Sequence, residues 1–171
     1  NLDGLLNSGE PTATTDVNGE YAFDDLGPGA YVIGQVAPAG WDAVTPMNVA
    51  VASGVDVTDA DLANFAFGTA SGRVFLDDAV DGVRDGDEAG LAGWIVFADL
   101  DDDGERDAGE PAAATDDSGG YDLAGLPRGD HAIRVDAPAG YQATLPWPGG
   151  VHLATVAASG QTIDEVDFGY R

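Results

Sequence analysis

The chain of 171 residues carries 31 acidic side chains against six basic ones, all arginine, for a formal net charge of −25. Such a surface repels nucleic acid and anionic lipid and makes cations the natural partners, whereas an apolar content of 44% belongs to a chain with a packed core, not a disordered acidic tail. Cysteine is absent, so no disulfide can hold the fold, and no leader or membrane-inserting span is visible.

In chain order, the first ten residues fit the later part of a twelve-residue calcium loop of the EF-hand type. In such a loop oxygen ligands fall at positions 1, 3, 5, 7, 9 and 12, and a glycine at position 6 makes the sharp turn. Asn1, Asp3, Gly4, Asn7 and Glu10 would occupy positions 3, 5, 6, 9 and 12, with position 1 upstream. The stretch from Asn7 to Trp41 then returns as Asp107 to Tyr141: both carry G-E-P, T-D, G-x-Y, a leucine turn with glycine, and A-P-A-G before an aromatic. Both copies run on through a Ser-Gly turn, Ser53-Gly54 and Ser159-Gly160, to Phe-Gly at Phe67-Gly68 and Phe168-Gly169. The expectation is two copies of one module, a repeat over 1–68 that upstream residues would complete and a complete repeat over 69–171.

Short alternating segments bounded by turn residues predict an all-β sandwich without helices. In the first copy Tyr21 and Phe23 alternate after Asn18-Gly19, a hairpin signal, and strands are expected over Tyr31–Val36, Asn48–Ala52 and Asp56–Phe67. A short join, Thr69 to Gly72, leads into a strand over Arg73–Leu76 and restricts bending between modules.

Next comes DDAVDGVRDGDE, with Asp77, Asp81, Gly82, Asp85 and Glu88 at loop positions 1, 5, 6, 9 and 12. Ala79 stands at position 3, so this site is expected to be weaker, or completed by water, Asp78 or Asp87. A strand follows, with Trp94, Val96 and Ala98 on one face and Ile95 and Phe97 on the other. It delivers the chain into DLDDDGERDAGE, where Asp99, Asp101, Asp103, Asp107 and Glu110 fill positions 1, 3, 5, 9 and 12, Gly104 position 6, and Glu105 would offer its carbonyl at position 7. Acidic runs are usually solvated faces, but here the glycine and the closing glutamate fall at the demanded offsets. Asp116 and Ser118, like Asp16 and Asn18, read as turn makers before a glycine, with a third ligand cluster as the other reading.

Nothing assembles a catalytic centre. His131 and His152 lie in strand-like stretches, and His131 takes the place of Tyr31 in the other copy, which suits packing. Paired carboxylates could serve glycoside hydrolysis, but their spacing here is that of calcium loops. The main rival reading is a carbohydrate- or protein-binding sandwich using Trp41, Tyr141 and Trp147 as platforms.

The string G-x-V-F-x-D (Gly72–Asp77), D-G-x-x-D-x-x-E (Asp81–Glu88), G-L-A-G (Gly90–Gly93), the Asp99 loop, G-E-P, T-D-x-x-G-x-Y, P-A-G-Y and D-F-G-Y (Asp167–Tyr170) resembles the SdrD B-like domains of serine-aspartate repeat surface adhesins, which are related to the collagen-adhesin B (Cna-B) domains. The resemblance implies tandem immunoglobulin-like or prealbumin-like β-sandwiches, an extracellular or cell-surface location, bound calcium, and the role of a stalk or spacer that calcium stiffens. Neighbouring repeats would be the partners. A third reading makes the repeats building blocks of a filament or surface layer, with a surface polymer or filament subunits as further partners. With no lysine, the lysine–asparagine crosslink frequent in Cna-B domains cannot form, which leaves metal as the main staple. The lysine-free acidic surface also resembles that of salt-adapted proteins.

Overall fold

The computed structural model describes residues 6–44 and 46–171, so the predicted ligands Asn1 and Asp3 lie outside the described residues. Among those described the regular structure is all strand, and no helix is long and apolar enough to cross a membrane. The chain divides into two compact units, Asn1–Asn64 and Phe65–Arg171, a few residues before the boundary read from the repeat.

In the first unit β1 (Gly29–Ile33) and β3 (Met47–Val51) pair antiparallel, Gly29 opposite Val51 and Ile33 opposite Met47, with β2 (Trp41–Ala43) between them in sequence. A short β4 (Asn64–Ala66) crosses the boundary, so the strand expected over Asp56–Phe67 shrinks to its last residues. The Asn18-Gly19 turn forms, but no strand follows it: Tyr21 and Phe23 meet edge to face at 5.8 Å and the Tyr21 hydroxyl donates to the Ala60 carbonyl. In the second unit the corresponding segment is a strand, paired antiparallel with one that precedes it in the chain.

The second unit is built on β5 (Gly68–Leu76), β6 (Ile95–Asp99), β7 (Ala112–Ala114), β8 (Gly120–Leu126), β9 (Gly129–Asp136), β10 (Ala143–Leu145), β11 (His152–Val156), β12 (Thr162–Ile163) and β13 (Phe168–Tyr170). β5 is the spine of one sheet. Its first half pairs antiparallel with β8, Gly72 opposite Tyr121, and its other edge carries β12 and then β13 in parallel, Ala70 opposite Ile163 and Val74 opposite Phe168, with β10 beyond β13. The residues expected as a short join, Thr69 to Gly72, therefore belong to this sheet, and Ala70 is fully buried. The second sheet has the order β11-β9-β6-β7, antiparallel throughout.

Between the sheets lie Val74, Leu123 and Phe168 from one side and Val96, Ala98, Ile133 and Val156 from the other. Removing the larger of these side chains from water stabilises the sandwich by about 2 kcal/mol each. Trp94, Val96 and Ala98 face this core, as their alternation predicts. Tyr141, one of the aromatics considered as a platform, packs edge to face on Trp94 at 4.8 Å. His131 is buried and its Nε2 meets the Pro127 carbonyl at 2.8 Å, the same four-residue reach by which the Tyr31 hydroxyl donates to the Gly27 carbonyl at 2.8 Å. The turn before Gly119 is not a hairpin: β7 belongs to one sheet and β8 to the other, so the chain crosses the sandwich there.

Candidate metal centre

Two loops leave strands of the second unit at one of their ends, one after β5 and one after β6, and each begins with a buried aspartate. Asp77 Oδ1 accepts from the Asp81 N–H at 3.2 Å and its Oδ2 from the Gly82 N–H at 3.0 Å. Asp99 repeats this on Asp103 at 3.2 Å and Gly104 at 2.9 Å. A carboxylate at position 1 thus ties down the backbone of positions 5 and 6. The tie needs left-handed backbone at position 4, where Val80 and Asp102 have φ of 58° and 59°, and at position 6, where Gly82 and Gly104 have 71° and 85°. Glycine accepts this region freely and a β-branched valine does not, so Val80 is held there by the bonds around it.

Position 5 then accepts from the N–H two residues on: Asp81 from Val83 at 2.9 Å and Asp103 from Glu105 at 2.8 Å. The loops close alike as well. The position-9 N–H donates to the position-12 carboxylate, Asp85 to Glu88 at 3.0 Å and Asp107 to Glu110 at 2.9 Å, and in the first unit Asn7 does the same to Glu10 at 2.8 Å.

The two loops differ in what converges. Carboxylate oxygens of Asp99, Asp101 and Asp103 come within 4.8 Å of one another. Asp107 and Glu110 stand outside that group, and among the described residues Asp77, Asp81, Asp85 and Glu88 form no comparable one. At position 12, Glu110 Oε1 accepts the Leu100 N–H at 2.7 Å, whereas the buried Glu88 Oε1 has no hydrogen-bond partner. At position 1, Arg134 of β9 donates from Nε to Asp99 Oδ2 at 2.6 Å and from a terminal nitrogen to Asp102 Oδ1 at 2.8 Å. No described basic residue forms an ion pair with Asp77.

Electrostatics follow from these contacts. Burial pushes the Asp77 carboxyl up, but the Thr144 hydroxyl beside it and the Gly82 and Asp81 N–H groups outweigh this and hold it below the ordinary carboxylate value. Burial acts on Asp99 in the same way and is outweighed by the Gly104 N–H and by Arg134. Stability from such depressed carboxylates is present above about pH 4 and is lost as pH falls through their folded values. Asp101 moves upward, through lost hydration first and then repulsion from Asp103, Asp107 and Asp99. Three hard-oxygen donors crowded on a pre-tied backbone fit a calcium ion, and the unpartnered Glu88 oxygen fits a cation at the Asp77 loop.

Asp16 and Asp116 serve their turns. Asp16 Oδ1 accepts from the N–H groups of Asn18 at 2.8 Å and Glu20 at 3.0 Å, and Asp116 Oδ1 from those of Ser118 at 2.7 Å and Gly120 at 2.9 Å. Sequence spacing missed Arg134, which reaches Asp99 from 35 residues away along the chain. Only the register that sets Phe97 beside Arg134 could have pointed to it.

The SdrD B-like domain family matches residues 68–166. Serine-aspartate repeat-containing protein D of Staphylococcus aureus strain Newman is 26% identical over 153 residues, covering 78% of this chain and 11% of that protein. The same protein of strain COL matches equally, over 10% of its length. The chain therefore spans about a tenth of the length of the curated relatives it matches. Among solved structures, a minor pilin of Streptococcus agalactiae is similar at 17% identity and a TM-score of 0.40, over 93% of this chain and 67% of the pilin. The staphylococcal relatives are cell-surface proteins of a Gram-positive bacterium, in keeping with the location that the motifs imply. With residues 68–166 matched, more than half of its length, the chain belongs to the SdrD B-like domain family.

Proposed function

We propose that this chain is a calcium-stiffened spacer of a surface protein, a non-catalytic repeat whose acidic loops close on calcium and whose partners are the neighbouring repeats. The observation that carries this reading is the meeting of Asp99, Asp101 and Asp103 within 4.8 Å on a loop whose backbone is already tied by Asp99 and Glu110. Calcium, when bound, supplies the charge that offsets their mutual repulsion. Asp107, Glu110 and the Glu105 carbonyl lie on the same loop and would complete the shell.

The Asp77 loop would hold a second ion through Asp77, Asp81, Asp85 and Glu88. What supports this is Glu88 Oε1, since a buried carboxylate oxygen without a donor is costly unless a cation meets it. Asn1, Asp3, Asn7 and Glu10 of the first unit would serve the corresponding loop of that repeat. Stiffening has a physical route: the Asp99 loop joins β6 to β7 within one sheet, and fixing its backbone removes freedom that a metal-free acidic loop would recover on opening.

The test is thermal unfolding of the chain in millimolar calcium and in chelator. For micromolar sites, linkage gives about 4 kcal/mol of stabilisation per site at a thousandfold excess of ligand. Asp101→Ala with Asp103→Ala should bring the calcium melt down towards the chelator melt. Identical melts in calcium and chelator would sink the proposal.

A second reading, a polymer-binding platform, draws on Trp147, a residue that is 80% exposed. A pull-down on surface polysaccharide that weakens in Trp147→Ala, with the melt unchanged, would favour it.

A further inference from the structure

The two loops share their backbone ties and differ in charge, and one part of that difference is a side chain from another strand. Arg134 stands on β9, opposite Phe97 of β6, and its guanidinium reaches both Asp99 and Asp102, positions 1 and 4 of the loop. Asp99 is buried and Arg134 is mostly so, which leaves the pair only weakly screened by salt. The equivalent position in the first copy is Gly34, which has no side chain to do this.

We propose that Arg134 is a built-in counter-cation of the Asp99 loop, holding it closed when calcium is absent and opposing calcium when it arrives. The inference rests on the calcium reading above for its second half only. Without metal, Asp99 faces Asp101 and Asp103 across less than 5 Å, and the guanidinium offsets that crowding with a two-point grip that fixes position 1 and the left-handed position 4 together. A bound ion then meets a ligand set already partly neutralised, and Asp99 Oδ2 is already committed to Arg134 and Gly104. The Asp99 loop thereby keeps its shape at low calcium at the expense of affinity. The Asp77 loop, with no described ion pair, has no such internal substitute.

The experiment uses the full chain with Arg134→Gln and Arg134→Lys, read by melting in chelator and by calorimetric calcium titration. Arg134→Gln should lower the chelator melting temperature by about 5 °C. It should also tighten calcium at the Asp99 loop about tenfold, equivalent to about 1.4 kcal/mol. Arg134→Lys keeps the charge but loses the fork, so its calcium affinity should stay near that of the unaltered chain while its chelator melt falls. Calcium binding by Arg134→Gln that is unchanged or weaker overturns the opposition to calcium, and an unchanged chelator melt overturns the tie. A titration indifferent to Asp101→Asn with Asp103→Asn removes the calcium reading itself, and the opposition with it. One that responds to those changes but not to Arg134→Gln overturns the Arg134 inference alone. If Arg134→Gln does not fold in chelator, the tie stands, and its calcium affinity is read from its melts in rising calcium, where tighter binding supports the opposition and unchanged or weaker binding overturns it.

Discussion

The Asp77 and Asp99 loops have nearly the same skeleton and different electrostatics. Both open on a buried aspartate that accepts two N–H groups, turn through left-handed residues at positions 4 and 6, and close with a carboxylate on the position-9 N–H. Yet one gathers three carboxylates and answers them with Arg134, while the other has Ala79 in place of the middle carboxylate and leaves a buried glutamate oxygen unpartnered. The two loops thus share their backbone hydrogen bonds and differ in the charge laid over them.

The skeleton that the two loops share depends most on position 1. Asp77→Ala and Asp99→Ala each strand two backbone N–H groups, and each should cost about 2–4 kcal/mol in chelator melts. A cost near zero for either would mean that its loop is not held by those bonds. Charge is tested next. Ala79→Asp should give the Asp77 loop its missing ligand and tighten its calcium affinity about tenfold, about 1.4 kcal/mol, and Asp101→Ala should weaken the Asp99 loop by as much, both read by titration. Equal affinities before and after would leave position 3 without a role.

The sandwich beneath the loops can be separated from them by alkali. Burial raises the Tyr170 hydroxyl to about 12 and pushes that of Tyr121 higher still. A folded-state value above the unfolded one of about 10 means stability that is full below pH 10 and lost as pH rises through the folded value. Tyr170→Phe should flatten part of this decline, by about 1 kcal/mol, without changing calcium binding. The smallest effect is expected at Glu88→Gln. In chelator it should change stability by less than about 1 kcal/mol, since it removes a charge that has a single hydrogen bond, whereas in calcium it should lower affinity at the Asp77 loop. A large chelator effect would assign Glu88 to the fold instead of to an ion.

The loops were legible from local order because a turn that wraps backbone around one point must place its carboxylates, its glycine and its closing glutamate at fixed offsets, and all of these lie within twelve residues. The repeat was legible for the same reason: Asp16 and Asp116, Gly19 and Gly119, and Tyr31 and His131 make matching local bonds. The Asn18-Gly19 hairpin misled, because the equivalent turn before Gly119 joins strands in different sheets, and membership of a sheet depends on partners distant in sequence. So did the join at Thr69–Gly72, whose small residues read as a linker until β8 and β12 take them into the sheet. Gly72 shows why they are small there: a Cβ would meet the Val166 carbonyl oxygen at 2.1 Å. The order of carboxylates, the all-strand character, the acidic surface and the repeat follow from the chain's spacing and composition. Which carboxylates converge, which glutamate oxygen is left unpartnered and that Arg134 stands over Asp99 follow from the fold, because strand register brings together charges that chain spacing keeps far apart.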